Sequence, residues 1–95
     1  MRYIWDPTKQ RKNLRKHRVE FADAAVALED ENALTVLDED SQGEYRFKTL
    51  CVGSLPDVLL VVHTEEHEGL ITIISARLAE PVERQQYFEG LTYDH

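Results

Sequence analysis

VLLVVHTEEHEGLITIISAR, residues Val58–Arg77, decides the fold. Val58–Val62 is an unbroken apolar run, and Leu70–Ile74 is broken only by Thr72. Valine and isoleucine branch at Cβ, which suits a pleated strand better than a helix. Between the runs, Glu65-Glu66-His67-Glu68-Gly69 is too polar to bury and ends on a glycine that can turn the chain. This predicts a hairpin with a five-residue loop. Neither run alternates as a water-facing edge strand would, so both belong at the centre of a sheet. Period-two geometry puts Ile71, Ile73, Ser75 and Arg77 on one face, with the strand leaving the core at Arg77.

Upstream of the hairpin, Glu44–Val52 alternates. Glu44, Arg46, Lys48, Leu50 and Val52 fall on one face, and Tyr45, Phe47, Thr49 and Cys51 on the other. Gly53–Asp57 is turn chemistry, Asp38–Gly43 an acidic turn, and Ala33–Leu37 a short strand. Consecutive acids such as Asp38, Glu39 and Asp40 lack the alternating spacing of a calcium loop. Tyr3-Ile4-Trp5 reads as a strand, and Asp6-Pro7 as a helix start running to His17. Leu14 is the only large apolar residue of that helix, so something polar must hold it down. Lys9, Asn13, Lys16 and His17 share one of its faces. A second helix, Glu20–Leu28, carries the stripe Phe21, Ala24, Ala25 and Leu28. Glu80–Gly90 closes the chain as a helix with Gly90 as its C-cap. The order predicts one α+β domain over residues 1–95: a short N-terminal strand, two helices, an antiparallel meander of about four strands, and a C-terminal helix.

In a plain meander Val52 lies opposite Val58, and His63 opposite Ile71. That register puts Arg46 by the Thr64–Gly69 loop and Arg77 toward the Gly53–Asp57 turn, roughly 20 Å apart at ~3.3 Å per residue.

At 95 residues with one cysteine, the chain needs no metal or disulfide to fold, and Cys51 reads as a small core residue. No apolar run approaches the roughly 20 residues of a membrane span, and the N-terminus is not signal-like, so a cytoplasmic setting is expected. The net charge of −7 conceals an asymmetry. Residues 1–20 hold seven Lys/Arg against two acids (+5), and the other 75 hold four against sixteen (−12). A basic segment on an acidic body suits an anionic partner at one place rather than a general nucleic-acid coat.

There is no HExxH, paired cysteine, phosphate-binding glycine loop or nucleophile elbow. What remains is a mixture of imidazole, cation and carboxylate: His17, His63, Lys16, Arg46, Arg77 and Glu44. Metal-free RNA cleavage needs such groups: a base for the 2′-hydroxyl, an acid for the leaving oxygen, and cations for the phosphorane. Each also has a plainer reading, with His63 in the core, His17 as a helix C-terminal cation, and Arg77 paired to Glu80 or Glu83.

Trp5-Asp6-Pro7-x-Lys9, Asn13, Lys16-His17-x-Val19-x-Phe21 with Ala24-Ala25, Gly43-Glu44-x-Arg46-Phe47, Val62-His63-Thr64-Glu65 and Ile73-Ile74-Ser75-Ala76-Arg77 together resemble the BrnT toxin family. The resemblance spans nearly the whole chain. It implies a RelE-like ribonuclease fold and RNA cleavage that blocks translation. It also implies neutralisation by a ribbon-helix-helix, DNA-binding antitoxin of the BrnA type, which would alone contact operator DNA. Matched positions carry over Lys16, His17, Arg46 and Arg77 as catalytic. Lys9, Asn13, Lys48 and Ser75 are expected to bind RNA or antitoxin, and no metal, cofactor or membrane is expected. The chain has Glu66 and Thr72 where the family commonly carries basic residues, and Arg18 where it carries glycine. The rival expectation is a weakened toxin acting mainly as the protein-binding half of a repressor complex.

Overall fold

The computed structural model describes residues 1–39 and 45–93, with the backbone alone for 91–93. In chain order the elements are β1 (Arg2–Ile4), α1 (Pro7–His17), α2 (Phe21–Ala27), β2 (Leu34–Leu37), β3 (Phe47–Cys51), β4 (Leu59–Glu65), β5 (Leu70–Leu78) and α3 (Pro81–Tyr93). One five-stranded sheet is ordered β1-β5-β4-β3-β2, so both strands of the hairpin are interior as their composition requires. β2 to β5 form the antiparallel meander, and β1 adds to β5 in parallel, through Tyr3 opposite Ile71. Glu44 and most of the acidic turn, Asp40–Gly43, lie outside the described residues.

Each face of the sheet has its own core. Phe21 of α2, wholly buried, packs with Val61, Ile73 and Ala76, and Trp5 meets it edge-on at 6.1 Å between ring centres. On the opposite face Tyr87 of α3 covers Leu50, Val58 and Leu60. Leu50 and Cys51 fall on opposite sides, as the alternation of β3 predicts.

Register is where sequence and structure part. Cys51 opposite Leu59 agrees with the expected pairing of Val52 with Val58, but His63 lies opposite Ile73, not Ile71. On β5, Ile74 is an extra residue: Ser75 pairs with Val62, whereas Ile73 pairs with His63. This bulge breaks the period of two, because one inserted residue turns everything beyond it to the other face. Ile73 and Ala76 therefore share the α2 side. Ser75 and Arg77 stand on the α3 side with Lys48 and Leu60, correcting the single face expected for Ile71, Ile73, Ser75 and Arg77.

α1 is held by a polar residue, as its composition demands. Leu14 is only half-buried, and Asn13 is the one buried residue of the helix. Past Ile4, β1 no longer pairs with β5, and the Asn13 amide takes over that edge. Its Nδ2 donates to the Ala76 carbonyl (2.8 Å) and the Val19 carbonyl (3.0 Å), and its Oδ1 accepts from the Ala76 N–H (3.0 Å). The helix ends at Arg18, whose φ of 61° is left-handed and whose N–H donates to the Leu14 carbonyl. Gly90 is no C-cap, since α3 runs on to Tyr93; a Cβ at Gly90 would stand 3.0 Å from Leu34 Cδ1.

A carboxylate joins the layers at the far end. Asp30 accepts from the Val52 N–H (2.9 Å), the Asn32 N–H (2.9 Å) and the Tyr87 hydroxyl (2.5 Å). Burial pushes its carboxyl up, but these hydrogen bonds, led by that of Tyr87, outweigh burial and hold it below the usual range.

Candidate active site

Four basic side chains of one helix and a hydroxyl of one strand meet at the edge of β5 beyond β1. Lys9, Lys12, Lys16 and His17 lie on the α1 face that Asn13 presents to the sheet, and Ile74 and Ser75 form the opposite wall. The resulting groove is open and holds about 240 Å³. The lysines are exposed and His17 is half-buried. Asn13 is spent on the backbone and acts by placing the others. Lys12 stands outside the family motifs, although its spacing of three from Lys9 marks the same helix face.

The bulge brings a second set within reach. On the α3 side a row crosses the strands from Lys48 through Val62 to Ser75, and the next runs from Leu50 through Leu60 to Arg77. The Asp38 N–H donates to the Arg46 carbonyl (2.7 Å), which extends the β2–β3 ladder by one pair. Alternation then puts Arg46 on the side of Lys48. With strands about 4.8 Å apart, Lys48 and Ser75 are about 10 Å apart across the sheet. Cations thus flank Ser75 from the helix and from the sheet face.

Two of the expected residues are committed elsewhere. Arg77 Nη1 and Nη2 grip the two oxygens of Glu83 at 2.8 and 3.1 Å, and Nη1 also donates to the Leu78 carbonyl. Glu83 Oε1 in turn accepts from the Glu80 N–H (2.8 Å), a cap on the first turn of α3. The hydrogen bond from Arg77 holds the Glu83 carboxyl down against burial, with Lys48 adding charge. Lys48 itself lies 4.0 Å from Asp38.

His63 is 1% exposed and belongs to the core. Its Nε2 lies 2.7 Å from Thr49 Oγ1, which lies 2.8 Å from Thr35 Oγ1, and its ring stacks on Phe47 at 5.9 Å. Burial pushes its imidazole below the ordinary range, with the Thr64 carbonyl and Glu65 opposing. Neutral imidazole is the form that suits this pocket, and it has no path to a bulky substrate. Burial drives the Cys51 thiol up to about 12, which removes it as a nucleophile. Among the described residues, no three His, Cys, Asp or Glu side chains gather as metal ligands would.

A family profile described as "Ribonuclease toxin, BrnT, of type II toxin-antitoxin system" matches residues 5–83. The chain belongs to the BrnT toxin family. The match takes in every element from α1 to β5 and the first turn of α3. Among solved structures, the Brucella abortus ribonuclease toxin BrnT superimposes with a TM-score of 0.65 at 23% identity, covering 84% of this chain and 97% of that one. At that identity the likeness shows a common α+β fold. Comparison with curated proteins gives no match. A type II family implies an antitoxin partner. Among the described residues no helix is long and apolar enough to cross a membrane.

Proposed function

We propose that the chain is a metal-independent endoribonuclease that arrests translation in the cytoplasm, with its reaction centre in the groove between α1 and the bulge of β5. One observation carries this reading: Lys9, Lys12, Lys16, His17 and Ser75 converge there on a family background of ribonucleases. The 2′-hydroxyl attacks the adjacent phosphorus as an imidazole accepts its proton, and the imidazolium gives that proton to the 5′-oxygen as the P–O5′ bond breaks. His17 is the proton-transfer group. Lys16 and Lys12 stabilise the charge that develops on the phosphorane, and the Ser75 hydroxyl donates to a phosphate oxygen. Arg46 and Lys48 hold flanking phosphates from the sheet face. The RelE-like mode of attack and a ribbon-helix-helix antitoxin that carries the operator contacts belong to the same reading.

The test is RNA cleavage with and without EDTA. Cleavage should survive chelation and leave cyclic-phosphate or 3′-phosphate ends, and His17→Ala should slow it about 100-fold or more. A divalent-ion requirement with 5′-phosphate products would sink the reading. The pairing of Arg77 with Glu83 favours a second reading, in which catalysis is weak and antitoxin binding is the main role. Growth arrest by the intact chain separates the two.

A further inference from the structure

β2 is the outer strand of the sheet, and its sequence, Leu-Thr-Val-Leu, carries no charge, proline or glycine to discourage another chain. Val36 is 58% exposed and Leu37 46%. Beside it, a groove of about 350 Å³ runs under α3, with Leu34, Val36, Leu50 and Leu60 as its apolar floor, Lys48 at its margin 4.0 Å from Asp38, and Glu83 and Gln86 on its helix wall. The opposite margin is treated differently: β1 is three residues long and carries Arg2, and the β5 edge beyond it is closed by Asn13. Only β2, among the described strands, presents an uncharged edge next to an apolar trough.

Charge selects the occupant. Glu29 and Glu31 precede the strand and Glu39 follows it, all three exposed, and they belong to the 75 residues that total −12. A second copy would bring the same acids against these, whereas a partner that binds DNA must be basic. The Lys9–His17 face of α1 would repel such a partner. Resting on the antitoxin reading above, we propose that the antitoxin adds an extended segment antiparallel or parallel to β2 as a sixth strand. Its alternate apolar side chains enter the trough, and Lys or Arg at its ends meets Glu31 and Glu39. Four paired residues span only ~13 Å, so the segment also covers the exposed Val82 of α3 to approach the ~1,000 Å² of a stable interface.

Hydrogen–deuterium exchange of the chain, alone and with the product of the adjoining reading frame, tests this directly. The antitoxin should slow exchange at Leu34–Leu37 at least tenfold and leave α1 unchanged. Val36→Asp, at a site already exposed, should weaken the complex at least tenfold, and an unchanged circular dichroism spectrum and thermal midpoint of the variant alone report that it folds. Protection confined to α1, or unchanged affinity of the variant, overturns the surface but leaves the antitoxin reading standing. No complex at all defeats both, and a dimer of the chain alone through β2 assigns the edge to a second copy.

Discussion

Arg18 holds a backbone conformation that its side chain resists. A φ of 61° places Cβ against the following carbonyl, a strain of about 1 kcal/mol that glycine avoids. The lysine-histidine pair just before it ends the helix, so the cap sets where the groove closes. Arg18→Gly should raise stability by about 0.5–1 kcal/mol, less the loss of one cation near the helix C-terminus, read as an upward shift of the denaturant midpoint. His63 makes a pH prediction of definite sign. Its folded pKa lies below that of the unfolded chain, so protonation favours unfolding. The His63 contribution is constant above about pH 6.5 and falls as pH drops from there toward the folded value, by up to about 1.4 kcal/mol per pH unit. Asp30 and Glu83, held below the usual carboxyl range, lose their contribution only at more acid pH. Urea titrations at pH 7.5 and 5.5 should show the loss, and His63→Gln should flatten it.

At the level of elements, the molecule depends on two polar or backbone junctions that apolar periodicity does not announce. Asn13→Ala removes three hydrogen bonds and leaves both backbone groups of Ala76 buried without partners, a loss of about 3 kcal/mol or more. Leu14→Ala on the same helix should be milder, and chemical denaturation of the pair decides it. Gly53 lies where the β3–β4 turn passes the end of α2. A Cβ there would stand 2.7 Å from the Ala27 nitrogen and 2.8 Å from its Cα, and backbone cannot yield. Gly53→Ala should therefore lower stability by about 3 kcal/mol in a thermal melt. The elements themselves were legible in the sequence. Asp6 and Pro7 mark the start of α1, and the branched runs mark β4 and β5. The bulge at Ile74 was not, because no residue type there signals an insertion, and all face assignments after it inverted. For the site, the helical spacing of Lys9, Asn13, Lys16 and His17 gave the groove's one wall. Ser75 as the other wall, and Glu83 as the partner of Arg77, emerge only from tertiary packing.

For the whole molecule the decisive quantity is the separation of charge, +5 on residues 1–20 against −12 on the rest. RNA held at Lys9, Lys12 and Lys16 releases about three counterions, so log K should fall with log salt with a slope of about −2, at ~0.7 per phosphate on a single strand. Beyond the flanking phosphates held by Arg46 and Lys48, which steepen the slope to about −3.5, the acidic body adds nothing as the oligonucleotide lengthens, so the slope should level off after a few nucleotides. Fluorescence anisotropy with a 2′-deoxy strand, which cannot be cleaved, measures both, and Lys12→Ala should reduce the slope by about 0.7. A slope that keeps growing with length would place RNA across a far larger surface.

The parallel pairing of Arg2–Ile4 with Leu70–Thr72, and the grip of Asn13 on Ala76, also set a timetable for synthesis. The first strand and helix leave the ribosome early and have nothing to dock on. Their partner strand emerges some seventy residues later, several seconds at ~5–20 residues per second. Until then the lysines of the helix have no opposite wall, and an unfinished chain holds no assembled groove. On the function proposed above, the chain is in this way harmless to the ribosome still making it, and the edge of β2 is complete before the groove exists.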